Sequence, residues 1–265
     1  MTASALIKVY GADRGVVQAL RGVDVAARPG TVTAIAGPSG SGKSTLLRLM
    51  AAIETPTAGD VSLAGVSVTT MSPRQRRALR RRTVGYVHQR PTDNLLPDLT
   101  IGEQLSLVAR HRQVDPSAIG PVTDLLGLTD RLGHLPGEMS GGEQQRAAMA
   151  RASVGSPAVI IADEPTAELD RATTHQVCDL MAQVAQDRSA AVVVATHDPE
   201  VMERADHVLF LRDGAVQSET FEGEERAVID STGRIQLPPE VLAWYPDQRV
   251  RLEFDPETNT IVIKP

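Results

Sequence analysis

A short apolar run, Thr31-Val32-Thr33-Ala34-Ile35-Ala36, leads directly into Gly37-Pro38-Ser39-Gly40-Ser41-Gly42-Lys43-Ser44-Thr45, which matches the phosphate-binding pattern GxxxxGK[ST]. A triphosphate needs several donors converging on one small volume, and this spacing supplies them. Gly37, Gly40 and Gly42 let the backbone turn where a side chain would block the phosphates. Lys43 can set its ammonium on the β- and γ-phosphates, and the hydroxyl of Ser44 can ligate Mg²⁺. Thr45 to Met50 reads as the first turns of a helix whose positive end faces the anion. An ordinary strand-to-helix turn can also be rich in glycine and serine, but here strand, pattern and helix stand in the required order. By itself the motif means nucleoside triphosphate binding and leaves open what hydrolysis drives.

Around this motif, strands and helices alternate. Leu6 to Tyr10 and Leu20 to Ala26 read as strands, and Gly59 to Val68 as a hairpin turning at Gly65. Pro73 to Arg82 holds six arginines and reads as a solvated helix face, with contact to a membrane partner left open. Thr83 to Val87 is a short strand ending at His88-Gln89. From Ile101 to about Arg151 the pattern is helical, interrupted by Pro116, Pro121 and Pro136. The runs Ala158 to Ala162 and Ala190 to Ala195 are too short for the ~20 residues of a bilayer span and read as buried parallel strands. Between them lies a helix from Arg171 to about Asp187, and His207 to Gln217 reads as a last hairpin around Asp213-Gly214. The alternation predicts an α/β fold with a mostly parallel sheet and ligands at the carboxyl ends of its strands.

Composition narrows the function. At 265 residues the chain can bury a substantial core, and its net charge of -6 argues against a dedicated nucleic-acid binder. The single cysteine, Cys178, cannot form an intrachain disulfide, suits a reducing compartment, and reads as a small buried apolar residue on a helix. No secretory leader or membrane span is expected, so any spanning part belongs to another chain.

Further motifs, in order, make the sequence resemble the ATPase subunit of an ABC transporter from Leu6 to about Gln217. Val159 to Glu164 (VIIADE) resembles the Walker B strand, which implies Asp163 as a Mg²⁺ ligand and Glu164 as the group that orients and deprotonates the attacking water. Met139 to Arg146 (MSGGEQQR) resembles the family signature, with Met139 and Glu143 where the commonest form has Leu and Gln. Ser140, Gly141 and Gly142 open a helix and present backbone donors, a second anion site, and the signature resemblance implies that Glu143 belongs to the same nucleotide-binding element. The resemblance implies a head-to-tail homodimer in which each signature closes on the ATP held by the other subunit's phosphate loop. Gln89 is similar to the glutamine loop that senses Mg²⁺ and the water, His197 to the switch histidine at the γ-phosphate, and Glu168-Leu169-Asp170 to the loop that crosses the dimer interface. Tyr10 stands where the family stacks an aromatic ring on adenine. His88, where relatives often carry Phe, reads as packing.

The implied fold is a P-loop NTPase of ABC type, with a mostly parallel core sheet, an antiparallel β subdomain and a helical subdomain. Asn94 to Thr100, Ala162 to Thr166 and Ser140 to Arg146 further resemble the branch of lipoprotein-release, macrolide-export and cell-division ATPases. Such ATPases use ATP and Mg²⁺ to drive a separate transmembrane permease chain, which implies a cytoplasmic protein held peripherally at the inner face of the cell membrane.

The expected domains are 1–218 for the ATPase, an acidic linker 219–226, and a small C-terminal β domain at 227–265. Ile229 to Pro238 reads as strand, turn, strand, and Val250, Leu252 and Phe254 alternate, as do Ile261 and Ile263. The tail, especially Ser231 to Leu242 (STGRIQLPPEVL), resembles the AbrB-type swapped-hairpin domain, which implies dimerisation and often DNA binding. Glu225 to Pro265 carries five basic and seven acidic residues, net 5 - 7 = -2, which disfavours DNA and leaves a dimerisation or regulatory module. The alternatives are a soluble ABC ATPase and a DNA-binding regulator acting through the tail. Against the first, there is one cassette, and Lys43 to Asp163 spans 163 - 43 = 120 positions without sustained heptads.

Overall fold

The computed structural model describes every residue except 13, 14, 168, 222, 230–232, 234, 236–242, 246–248, 257, 259 and 265. The chain opens with a long antiparallel pair, β1 (Thr2–Ala12) and β2 (Gly15–Ala26), followed by β3 (Val32–Ala36), the phosphate loop and α1 (Lys43–Met50). The short pair β4 (Ala58–Leu63) and β5 (Val66–Ser67) completes a four-stranded antiparallel sheet of order β2-β1-β4-β5. Then come α2 (Pro73–Thr83), β6 (Val84–Val87), the single turn α3 (Pro91–Asn94), α4 (Ile101–Arg112), α5 (Gly120–Leu125) and α6 (Gly141–Ser153). The expected prolines begin elements instead of merely interrupting them: Pro116 and Pro136 start 3₁₀ turns and Pro121 lies in the first turn of α5, where a missing N–H is harmless. The core is completed by β7 (Val159–Asp163), α7 (Arg171–Arg188), β8 (Ala191–Thr196), α8 (Pro199–Glu203), β9 (His207–Arg212), β10 (Ala215–Phe221) and β11 (Glu224–Ala227).

These strands form a seven-stranded sheet of order β11-β10-β9-β3-β8-β7-β6, parallel from β9 through β6 with an antiparallel edge at β10 and β11. The central strands β3 and β8 are buried at every position, and apart from Thr33 and Thr196 apolar, because both faces are covered. Val192 and Val194 of β8 face one hydrophobic cluster with α4, α6 and α7, while Ala191, Val193 and Ala195 face the other, with α1 and the antiparallel sheet. Each fully buried valine here contributes roughly 1.5–3 kcal/mol relative to exposure.

Two buried polar side chains tie the helical region to the sheet. Arg112, at the end of α4, donates to the carbonyls of Val84, Ala152 and Val154, and burial pushes its pKa down to about 10. Gln104 accepts from the Leu96 N–H and donates to the carbonyls of Leu96 and Leu99, fixing the loop that enters α4.

Much of the acidic stretch expected as a linker is instead sheet, in two strands. Residues 219–221 finish β10, and Glu219, Thr220 and Phe221 pair with Arg226, Glu225 and Glu224 of β11. Acidic composition alone suggested solvent exposure; backbone pairing along an exposed edge satisfies both demands. Beyond it, β12 (Arg251–Asp255) and β13 (Thr260–Lys264) form a separate two-stranded antiparallel pair. Leu252 opposes Ile263 and Phe254 opposes Ile261, so the alternating apolar residues share one face. Leu252, Phe254 and Ile261 are 64, 64 and 63% exposed. Ile229 and Ile235 form an isolated antiparallel bridge, but most of Ser231 to Leu242, which carries the AbrB resemblance, lies outside the described residues.

Candidate functional site

At the carboxyl ends of β3, β7 and β8, an open cleft of about 1150 Å³ is lined by Pro38, Ser39, Gly40, Gly42, Lys43, Ser44 and Thr45 of the phosphate loop, with Gln89, Glu164 and His197 opposite. Motifs from well-separated parts of the chain thus meet because parallel strands deliver their ends to one edge. The loop's two tightest positions explain its glycines. Gly37 has φ 146°, and a Cβ there would lie 2.0 Å from the Leu211 carbonyl oxygen. Gly42, with φ 106°, would meet the Ala19 carbonyl at 2.7 Å.

Lys43 is buried and donates to the carbonyls of Gly37 (2.8 Å) and Pro38 (3.2 Å), so its ammonium spans the mouth of the loop. Ser41 anchors the loop through its carbonyl, which accepts from Gly214, while its buried Oγ has no hydrogen-bond partner. An anion seated in the loop would answer that orphaned hydroxyl. The Ser44 hydroxyl donates to Oδ1 of Asp163 at 3.3 Å. Burial raises the Asp163 pKa, opposed by the Ser44 hydrogen bond, so this carboxylate sits where a cation would be favourable. The paired Ser44 hydroxyl and Asp163 carboxylate, with Gln89 lining the same cleft, fit Mg²⁺, which binds through few protein ligands together with phosphate oxygens.

Glu164 follows directly and has φ 46°, a left-handed conformation that costs a non-glycine residue about 1–3 kcal/mol. Its N–H donates to the Ala195 carbonyl (2.9 Å) and its carbonyl accepts from Ala167, which hold the turn in place. The side chain thereby reaches the cleft, with one oxygen 3.7 Å from Lys43 Nζ and the other 3.0 Å from His197 Nδ1.

The remaining expected residues lie elsewhere. Ser140 caps α6: its Oγ accepts from the Glu143 N–H, and the Glu143 carboxylate accepts from both the N–H and the hydroxyl of Ser140. Glu143 also pairs with Arg131 Nε at 2.8 Å, and chiefly this contact pulls its pKa down to about 2. Ser140, Gly141, Gly142 and Glu143 do not line the cleft of their own chain. Asp170 caps α7 by accepting from the Thr173 N–H and hydroxyl, while the adjoining Glu168 lies outside the described residues. Tyr10 does not line the cleft either. Its hydroxyl donates to Glu54 at 2.8 Å, and its cross-strand partner Val17 lines the cleft in its place. His88 rests its ring on Tyr86, 4.7 Å between centroids, as packing.

Sequence reading missed Val17, Gln18, Ala19 and Arg21 of β2 and Asp213-Gly214 of the β9–β10 turn, all of which line the cleft. They carry no motif and arrive through tertiary folding. It also missed the work of Asn94, which accepts from the His88 N–H and donates to the carbonyls of His88 and Arg90, bracing the loop that presents Gln89. Arg151 of α6 in turn donates to the Asn94 carbonyl, linking the signature helix to that loop.

Comparison with known proteins places this fold in a family. The ABC transporter family profile matches residues 20–167. The lipoprotein-releasing system ATP-binding protein LolD of Bordetella pertussis is 39% identical over 221 residues, covering 82% of this chain and 95% of that protein. LolD of Legionella pneumophila strain Lens is 40% identical over 220 residues, covering 82% and 96%. Among solved structures, the dimeric bacterial ABC transporter cassette MJ0796 superposes with a TM-score of 0.74 at 30% identity, covering 83% of this chain and 97% of that one. A post-hydrolysis MJ0796 dimer bound to ADP and Pi also scores 0.74, at 29% identity, covering 85% and 97%. With its cassette fold, its ATP cleft and these relatives, the chain belongs to the ABC transporter family as an ATP-hydrolysing subunit.

Proposed function

We propose that two copies of this chain close head to tail on two ATP molecules and that the cycle of closing and opening drives a separate membrane-spanning chain. The observation that carries the proposal is the division of the anion sites. The phosphate loop, Gln89, Glu164 and His197 share one cleft, whereas the exposed signature start at Ser140-Gly141 lies outside it, with its helix cap already formed. A second copy turned head to tail would bring that cap to the γ-phosphate side of the cleft.

In each closed site Lys43 and the loop N–H groups neutralise phosphate charge, and Glu164 orients the attacking water and takes its proton. His197 holds the Glu164 carboxylate and faces the γ-phosphate position. Mg²⁺, held by Ser44, Asp163 and Gln89, would supply positive charge at the phosphate oxygens. Gln89 and its loop would carry the state of the site to the membrane chain. Because the relatives named above belong to lipoprotein-releasing systems, we assign this chain to the same branch, acting at the cytoplasmic face of the membrane through its permease. No helix among the described residues is long and apolar enough to cross a membrane.

The tail is a proposed AbrB-like module that dimerises and keeps two cassettes near each other, supported by the apolar face of β12 and β13 and by the tail's acidic charge, which opposes DNA binding. Copurification from gently solubilised membranes tests the whole reading: a polytopic membrane chain is expected with the protein, and recovery of the ATPase alone or with ribosomes would refute it.

A further inference from the structure

Away from the cleft, helix α2 presents a charge arrangement that the ATPase cycle does not use. Six of its 11 residues are arginines: Arg74, Arg76, Arg77, Arg80, Arg81 and Arg82. At about 100° per residue, Arg74, Arg77, Arg81 and Arg82 fall on one face. Arg74, Arg77 and Arg82 are exposed and Arg81 partly so. The opposite side holds the helix to the protein: Leu79 packs on the core, and Arg80 donates to the Ala52 carbonyl. Arg81 and Arg82 both donate to Oε1 of Gln113, immediately after α4, which sets the exposed Arg110 and His111 of that helix's last turn beside the stripe.

The chain has 33 acidic and 27 basic residues, yet among the described residues no carboxylate lies within 4.0 Å of any of the six α2 arginines. Arg77 and Arg81, Arg76 and Arg80, and Arg74 and Arg77 stand at spacings where like charges destabilise a helix. Arg76 and Arg77 add to burial in lowering the Arg80 pKa, and the buried Nε of Arg81 has no hydrogen-bond partner. Among the described residues no carboxylate relieves the repulsion, and an external polyanion would relieve it.

We propose that the face formed by α2 and the end of α4 docks the protein on the anionic headgroups of a phospholipid bilayer. Guanidinium groups bind phosphate in bidentate fashion, and a row of them on the outside of one helix matches a plane of phosphates. The overall charge of -6 chooses between polyanions. A flat surface touches the basic face alone while the acidic remainder points away and is repelled, which orients the molecule. A nucleic acid tracked along the protein would carry its phosphates past that acidic surface. The docking is separate from ATP hydrolysis, so either reading can fail without the other.

The test is cosedimentation of the full-length protein, without any permease, with vesicles of equal parts phosphatidylglycerol and phosphatidylcholine, against vesicles of phosphatidylcholine alone. The wild type should sediment with the anionic vesicles only and be released by salt. Replacing Arg74, Arg77, Arg81 and Arg82 together by Gln should abolish sedimentation, since each basic residue near such a surface contributes about fivefold. The same four positions changed to Lys should retain most of it, because the charge stays and only the bidentate geometry is lost, and removal of four charges elsewhere by R188Q, R204Q, R226Q and K264Q should leave it in place. R77Q alone, expected to weaken partitioning about fivefold, keeps the test decisive if the fourfold Gln variant does not fold. A wild type that ignores anionic vesicles, a folded Gln variant or an R77Q variant that binds them unchanged, or tighter binding to duplex DNA than to the vesicles would overturn the proposal.

Discussion

Nδ1 of His197 lies 3.0 Å from Oε2 of Glu164, while the other oxygen of that carboxylate lies 3.7 Å from Nζ of Lys43. One acid from the end of β7 is therefore held between a cation of the phosphate loop and a histidine from the end of β8. The left-handed turn at Glu164 is what allows this reach. The local strain is held by the Ala195 carbonyl of the neighbouring strand, so the sheet itself maintains the conformation.

Glu164→Gln should keep ATP binding and lose turnover. The amide is isosteric and still fits between Lys43 and His197, but it cannot accept the water's proton. A general base contributes about 10² to 10⁴-fold, so phosphate release should fall by that order while nucleotide affinity holds. Turnover at the wild-type rate would remove Glu164 from this role.

Lys43→Ala and Ser140→Arg should separate the two anion sites. Loss of Lys43 removes a buried cation from the loop and should weaken ATP binding in the isolated chain. Ser140 lies outside its own chain's cleft, so Ser140→Arg should leave that binding nearly intact and abolish hydrolysis. Calorimetric titration of both variants decides it: equal loss of affinity would mean that the signature acts on its own nucleotide.

Asp163→Asn should stabilise the nucleotide-free protein and abolish the further stabilisation by Mg²⁺ with ATP. Burial raises the Asp163 pKa, so the folded state holds its proton more tightly than the unfolded chain does. Stability from this group is therefore present below the ordinary carboxylate range and lost as pH rises through the raised folded value. Asparagine removes that loss, and melting at neutral pH should rise by a few degrees. If the nucleotide-free variant melts no higher than wild type, or Mg²⁺ with ATP protects both proteins equally, the assignment of Asp163 is wrong.

The tail should hold the full-length protein as a dimer without nucleotide. A lone two-stranded pair is marginal in water, and Leu252, Phe254 and Ile261 need a surface to cover them. A chain ending at Val228 keeps β10 and β11 whole, whereas ending at Gln217 would cut β10. The shortened chain should be monomeric until ATP in a Glu164→Gln background closes it. Light scattering reads both, and a nucleotide-free full-length monomer at micromolar concentration would sink the idea.

The phosphate loop, the two acids at the end of β7 and the start of α6 were legible because each is local: glycine spacing, an apolar strand ending in two acids, and Ser140-Gly141-Gly142 opening a helix are written within a few positions. Strand alternation also announced the parallel sheet. Position across the chain was not legible. Val17 reaches the cleft because β2 pairs with β1 beside Tyr10, and Asn94 braces Gln89 through contacts that no spacing encodes. Residues 219–221 and 224–226 have the composition of a linker, yet their backbones pair with each other at the sheet edge. Charge composition reports only what solvent tolerates, whereas hydrogen-bond pairing depends on which backbone lies alongside, and only the folded chain decides that.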